Sequence, residues 1–363
     1  MSTSIHAITM PKWGLSMEEG KILRWCKSVG DVIAAGDEVV DIETSKIANT
    51  LEAPQSGRLR RIVGEIDQVY PCGALIGVLA DDPVAESEID AFVQVHAASA
   101  RAQGGDAQVN APRFVTIKAK RVRYLEAGAG ATPTLFIHGF GGDLDNWQFV
   151  QPAIAAHRRV IALDLPGHGQ SDKDVSGFAC LADVADFVAE FLIELGHSST
   201  EVVAHSMGGA IALAMAARHP TLVKRLVLLA PVLASSQVNA GYVHGFVKAG
   251  SRRELEPVAK LLFNDATLVQ RQMLEDLMRY KRMDGARQAL EFFADVILSA
   301  NTRDYLESLP SRDQPTVVLR GDCDRIIQGD LGTLTHAKVI SLANVGHMPH
   351  MEQVESVVEA ILN

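Results

Sequence analysis

Near residue 80 the patterning of the chain changes so sharply that one core cannot serve both parts. Before that point, brief β-prone runs at 22–25, 38–42 and 58–63 are cut by Gly14, Gly20, Gly30, Gly36, Gly57, Gly64 and Gly73. Short runs between glycine turns, without a helical period, predict a small all-β sandwich over residues 1–80. From 113 onward, continuous apolar runs at 134–137, 160–163, 201–204, 226–229 and 316–319 alternate with helix-period segments such as 181–195 and 207–218. Apolar runs of that kind fit strands covered on both faces, so residues 113–363 are predicted to form an α/β domain with a doubly wound, mostly parallel sheet. Residues 232–313 show helical patterns, at 268–282 and 286–298, and no clear strand; they read as a helical cap over one end of the sheet. Residues 81–112 include a small, polar stretch at 98–108 that buries too little to offset its ordering entropy. They are predicted to be a flexible linker, within which a short helix over 86–98 is left open.

A length of 363 residues accommodates two domains of unequal size. The net charge of −10 repels phosphate backbones and anionic lipid, so neither nucleic acid nor a membrane is an expected partner. Cys26, Cys72, Cys180 and Cys323 form no CxxC pair, which fits a reducing compartment and no metal site. Residues 1–6 lack the basic region and apolar run of a signal peptide, and no apolar stretch approaches the ~18–20 residues of a membrane span. A cytoplasmic location is the resulting expectation.

Glu43-Thr44-Ser45-Lys46-Ile47 lies between two alternating segments, at 39–42 and 48–53, which places Lys46 at the tip of a β-hairpin. A solvated turn lysine is the ordinary reading; an acylated swinging arm needs the same placement, with the ammonium clear of packing. The context is more specific. Met10-Pro11-Lys12-Trp13-Gly14-Leu15-Ser16-Met17-Glu18-Glu19-Gly20, Gly30-Asp31, Gly36-Asp37, Glu52-Ala53-Pro54 and Gly57 together resemble the lipoyl domains of 2-oxo-acid and acetoin dehydrogenase complexes. That resemblance implies lipoate attached to Lys46. Biotin carriers usually flank their lysine with methionines, whereas Ser45 and Ile47 stand here; many lipoyl domains have Asp at the position of Ser45.

Ala204-His205-Ser206-Met207-Gly208-Gly209 follows a strand and opens a helix, the context of a nucleophile elbow with small residues on either side of the serine. His138-Gly139-Phe140-Gly141-Gly142 follows another strand at an oxyanion-loop position. Backbone N–H groups of Phe140 and Met207 are the candidate oxyanion donors. Asp324 lies just beyond the strand at 316–319, and His347 precedes the helical segment at 352–362. The chain order Ser, Asp, His and these motifs resemble the α/β-hydrolases. Serine needs a base, which His347 supplies, with Asp324 fixing its tautomer. Asp322 and His350 are rival positions for acid and base, while His138, His205 and the segment 164–171 read as structural.

A lipoyl domain followed by an α/β-hydrolase domain resembles the dihydrolipoamide acetyltransferase components of acetoin-cleaving systems. The resemblance implies transfer of acetyl from lipoyl-Lys46 to coenzyme A. It also implies two partners, a thiamine-diphosphate-dependent acetoin dehydrogenase component and a flavin dihydrolipoamide dehydrogenase, and a homo-oligomeric assembly. The His-x-x-x-Asp-Gly motif of ordinary 2-oxo-acid acyltransferases is missing: before Asp284-Gly285 the histidine position holds Tyr280. Transfer would then need different chemistry: a route through acetyl-Ser206, or direct attack by the thiol with the triad polarising the thioester. Two competing classes are a thioesterase or carboxylesterase fused to a carrier arm, and a carrier with an idle triad. Lys248, Arg252 and Arg253 are candidates for coenzyme A contacts.

Overall fold

The computed structural model describes residues 5–11, 19–44, 48–53, 55–80, 84–103, 112–310, 314–330, 334 and 336–363. The chain divides into two compact units, Met1–Ala107 and Gln108–Asn363.

In the first unit, strands β1 (Ile5–Thr9), β2 (Glu19–Trp25), β3 (Val32–Ile33), β4 (Glu38–Glu43), β5 (Ala48–Glu52), β6 (Gly57–Ile62), β7 (Val69–Pro71) and β8 (Leu75–Ala80) form two four-stranded antiparallel sheets among the described residues. Their orders are β1-β8-β6-β3 and β5-β4-β2-β7. Ile8, Ile22, Ile33, Ile42, Leu59 and Ile76 fill the space between them. A Cβ at Gly64 would lie 2.4 Å from Ile22 Cδ1 and 3.0 Å from Ile76 Cβ, so core side chains pack directly on bare backbone there. In the β4–β5 pair, Glu43 stands opposite Ala48, and residues 44–47 connect the strands. Lys46 itself lies outside the described residues.

Helix α1 (Glu86–Gln103) occupies the part of the 81–112 segment in which the sequence leaves a short helix open, and runs past residue 98. Ile89, Phe92 and Val93, at i, i+3 and i+4, pack with Val84 against Val78 and Ala80 of β8. Arg60 and Arg61 pair with Glu86 at 2.6 and 3.0 Å, and Arg61 reaches Asp90 at 2.8 Å.

The second unit is built on an eight-stranded sheet among the described residues. Its chain order runs β9 (Arg113–Ile117), β10 (Lys120–Ala127), β11 (Thr134–Ile137), α2 (Gln151–Ala155), β12 (Val160–Leu163), α3 (Leu181–Glu194), β13 (Thr200–His205), α4 (Met207–Arg218) and β14 (Val223–Leu229). Then follow β15 (Gln237–Val238), α5 (Ala240–Lys248), α6 (Arg252–Ala259), α7 (Arg271–Lys281), α8 (Ala286–Leu298), α9 (Ala300–Ser308), β16 (Thr316–Gly321), β17 (Ile327–Gln328), β18 (Lys338–Leu342), α10 (Pro349–Glu352) and α11 (Val354–Leu362). The strand order is β18-β16-β14-β13-β11-β12-β10-β9. All pairings from β12 to β18 are parallel, while β10 runs antiparallel to both β12 and β9. The chain reverses its direction across the sheet at β11, with β12 on one side and β13 on the other. Crevices at the carboxyl ends of strands beside such a reversal are the usual ligand sites of open α/β sheets. Helices α5 to α9 lie between β14 and β16 in the chain, and β15 pairs with β17.

Candidate active site

Ser206 sits between the last residue of β13 and the first of α4, with φ 53° and ψ −116°. A non-glycine residue in that region is strained and persists only where its surroundings over-determine it. Its N–H donates to Leu229 O at 2.9 Å; its own carbonyl accepts from the N–H groups of Gly209 at 2.9 Å and Val232 at 3.0 Å. The turn also needs bare backbone beside it. A Cβ at Gly208 would lie 2.5 Å from Ile137 O, and one at Gly209 would lie 2.6 Å from Pro231 Cβ. Met207 opens α4 with its side chain fully buried. First-turn N–H groups lack intrahelical acceptors and carry the positive end of the helix dipole.

The loop after β11 approaches the same serine. A Cβ at Gly139 would come within 3.1 Å of Ser206 Cβ and 2.8 Å of His205 Nδ1. His138 shapes this loop: its Nδ1–H donates to Gly139 O at 2.8 Å and its Nε2 accepts from Leu165 N–H at 3.0 Å. Burial pushes its pKa down to about 4, so the neutral tautomer that this pairing requires is also the favoured one. Asp164 braces the next turns, accepting from the N–H groups of Leu144 at 2.8 Å and Gln170 at 2.7 Å beside the buried Arg123. The expectation that His138 and the 164–171 segment are structural agrees with these contacts.

Asp324 and His347 come together from separate loops. Asp324 Oδ2 accepts from His347 Nδ1 at 2.9 Å, and its Oδ1 accepts from the N–H groups of Ile326 and Ile327 at 2.7 and 3.0 Å. Burial alone would raise the Asp324 pKa. The charge and hydrogen bond of His347 and the two backbone donors outweigh it and hold the carboxyl below its usual range. The ionised carboxylate fixes the proton on Nδ1 and leaves Nε2 as the free base. The backbone of His347 is anchored as well: its N–H donates to Leu262 O and its carbonyl accepts from His205 Nε2, both at 2.8 Å. Asp322 instead accepts from Asn344 N–H at 2.8 Å. His350 is fully buried against the rings of Trp147 and His205, and burial with the nearby His347 takes its pKa down to about 3. The carboxylate therefore pairs with His347.

Ser206, His347, Gly139 and Phe140 line one cavity of about 80 Å³. The cap completes it with Tyr242 and Phe246 of α5 and Met273 and Leu277 of α7, residues that sequence reasoning did not single out because their helical spacing reads as core. Asp143 and Asn146 also line it; burial and the neighbouring Asp145 and Asp164 carboxylates hold the Asp143 carboxyl well above its usual range against the pull of Arg123. Lys248, Arg252 and Arg253 are exposed outside this lining, and Arg252 pairs with Glu275 at 3.3 Å. Among the described residues there is no metal-binding group of three or more His, Cys, Asp or Glu, and no helix long and apolar enough to cross a membrane.

Residues 132–354 match the α/β-hydrolase fold family, and residues 6–79 match the family of biotin-requiring enzymes, the biotin and lipoyl carriers. The chain is thus a carrier domain fused to an α/β-hydrolase domain. It is 43% identical to a protein of Cupriavidus necator named as the dihydrolipoyllysine-residue acetyltransferase component of an acetoin-cleaving system, over 97% of this chain and 95% of that protein. A protein of Pseudomonas putida with the same name is 42% identical over 99% and 98%. The chain belongs to this family of acetyltransferase components. Among solved structures, a meta-cleavage product hydrolase from Pseudomonas fluorescens superposes with a TM-score of 0.60 at 20% identity, over 69% of this chain and 96% of its own, a likeness of fold.

Proposed function

We propose that the chain is the dihydrolipoyllysine-residue acetyltransferase of acetoin catabolism and that it moves acetyl to coenzyme A through Ser206, Asp324 and His347. The observation that carries this reading is the juxtaposition, in one small cavity, of a strained serine and a histidine whose Nδ1 is held by the Asp324 carboxylate. The hairpin between β4 and β5 fits a carrier role, since its connection, residues 44–47, includes the one lysine of that segment. Lipoate joined to Lys46 supplies a dithiol able to hold an acetyl group as a thioester.

His347 Nε2 takes the hydroxyl proton as Ser206 Oγ bonds to the thioester carbonyl carbon. Backbone N–H groups of Phe140 and Met207 receive the developing oxyanion; each such donor is worth about 3–4 kcal/mol of barrier. The C–S bond then breaks, and His347 returns its proton to the departing thiolate. In the second half, the thiol of coenzyme A gives its proton to His347 and its sulfur attacks the acetyl-Ser206 carbonyl. Ser206 leaves and recovers the proton. Buried apolar cap residues around the serine favour the thiol over water. The thiamine-diphosphate-dependent and flavin partners, a homo-oligomeric assembly and a cytoplasmic location belong to the same reading.

Intact-mass measurement tests the covalent step. Mixed with an acetyl thioester without coenzyme A, the protein is expected to gain one acetyl on Ser206 and to lose it on adding coenzyme A. A Ser206→Ala protein that forms acetyl-coenzyme A at the native rate contradicts it.

A further inference from the structure

The cavity above Ser206 is small. Its volume of about 80 Å³ is far below the ~300–1,000 Å³ of pockets for drug-sized ligands. An acetyl thioester with its methyl, carbonyl and sulfur fills much of such a space.

Phe246 forms the wall facing the oxyanion loop. The residue is fully buried, and a Cβ on Gly141 would lie 2.6 Å from its Cε1, so loop backbone and ring are in direct contact. Phe140 packs edge-on against it at 5.6 Å between centroids, and Tyr242 lies at 6.1 Å. The ring is also held from behind. Lys281 Nζ, 4.9 Å from the ring centroid, donates to the carbonyls of Phe246 and Val247 at the C-terminal end of α5. A lysine there satisfies terminal carbonyls and complements the helix dipole. Leu277, from the same helix as Lys281, reaches the cavity beside it.

We propose that Phe246, braced between Gly141 and Lys281, forms with Leu277 a chain-length filter that restricts the acyl group on Ser206 to about two or three carbons. The filter rests on the reading of Ser206 as the nucleophile toward thioesters. Lengthening the chain would press methylenes into a ring that has loop backbone on one side and the end of α5 on the other. Dense cores yield to such insertions only at a cost.

The test uses the full chain with N-acetylcysteamine thioesters of acetyl, propionyl, butyryl and hexanoyl groups. Thiol release is the readout, because it is common to transfer and hydrolysis. Beyond propionyl, kcat/KM is expected to fall by about tenfold or more for each added methylene. Phe246→Ala is expected to raise the butyryl-to-acetyl ratio by about tenfold. Leu277→Ala, at a half-buried site less critical for folding, is expected to shift it in the same direction. Thermal melts establish that each variant is folded. A native protein that accepts hexanoyl as readily as acetyl overturns the filter, as do folded variants that keep the native ratio. With coenzyme A added to the acetyl assay, free acetate in place of acetyl-coenzyme A counts against the transfer reading alone, because the ratio still reports the wall. No thiol release from any thioester overturns both.

Discussion

At the residue scale, the site depends on groups whose protonation is fixed by burial and partner. Asp324 supports His347 through one oxygen and is itself held by two backbone donors through the other. Asp324→Asn keeps the shape but lets the imidazole adopt the wrong tautomer, so kcat for acyl transfer is expected to fall by about four orders of magnitude. Steady-state rates check this, and a loss under tenfold would contradict the pairing. A second consequence concerns acid. His138, His168, His205 and His350 are all held below the ordinary imidazole value of about 6.5, primarily by burial. Near pH 6.5 the unfolded chain takes up protons that the folded chain refuses. The stability these residues contribute is therefore complete above about 6.5 and is lost as pH falls toward the folded values. For His138 and His350 those values are about 4 and about 3. Denaturant midpoints are expected to drop between about pH 7.5 and about pH 5, where unperturbed aspartates (~3.9) remain largely ionised. A midpoint that stays constant over that range would contradict this account.

At the element scale, what could be read in the sequence follows from how each strand is buried. β11, β12, β13 and β14 have both faces covered and appear as apolar runs. β9 and β10 carry Arg113, Lys120, Arg121 and Arg123, and β18 is an edge strand with Lys338, so none shows such a run. The tight turns around Ser206 were legible because close backbone contact forces small residues at fixed places, as at Gly139 and Gly208. Asp324 is preferred to Asp322 from its place after the strand, and in the folded loops Asp324 reaches His347 while Asp322 accepts from Asn344 N–H. The cap wall was not legible, because Tyr242, Phe246, Met273 and Leu277 have the spacing of any buried helix face. Two substitutions test these elements. Gly139→Ala is expected to lower activity far more than stability, because its Cβ would press on Ser206 and His205. Kinetics with a thermal melt will distinguish the two; an active variant would contradict the packing. In α1, Ile89→Ala removes a fully buried side chain from the β8 contact. A loss of about 2–5 kcal/mol is expected on unfolding the first unit, and no loss would mean that the helix does not pack there.

At the scale of the whole molecule, the chain combines a carrier domain and an α/β-hydrolase domain in two compact units, each with its own core. The α/β-hydrolase fold alone does not separate hydrolysis from transfer, since one fold hosts many reactions. Membership in the acetyltransferase family and the small apolar cavity both favour transfer. The decisive measurement follows acetyl from the arm. Lipoylated protein, chemically acetylated on the arm, is incubated with and without coenzyme A, and the products are quantified by mass spectrometry for the native chain and for Ser206→Ala. The account predicts acetyl-coenzyme A formed faster than free acetate, and lost in the variant. Free acetate released at the same rate with and without coenzyme A would contradict it and make the second unit a hydrolase carrying a lipoyl arm.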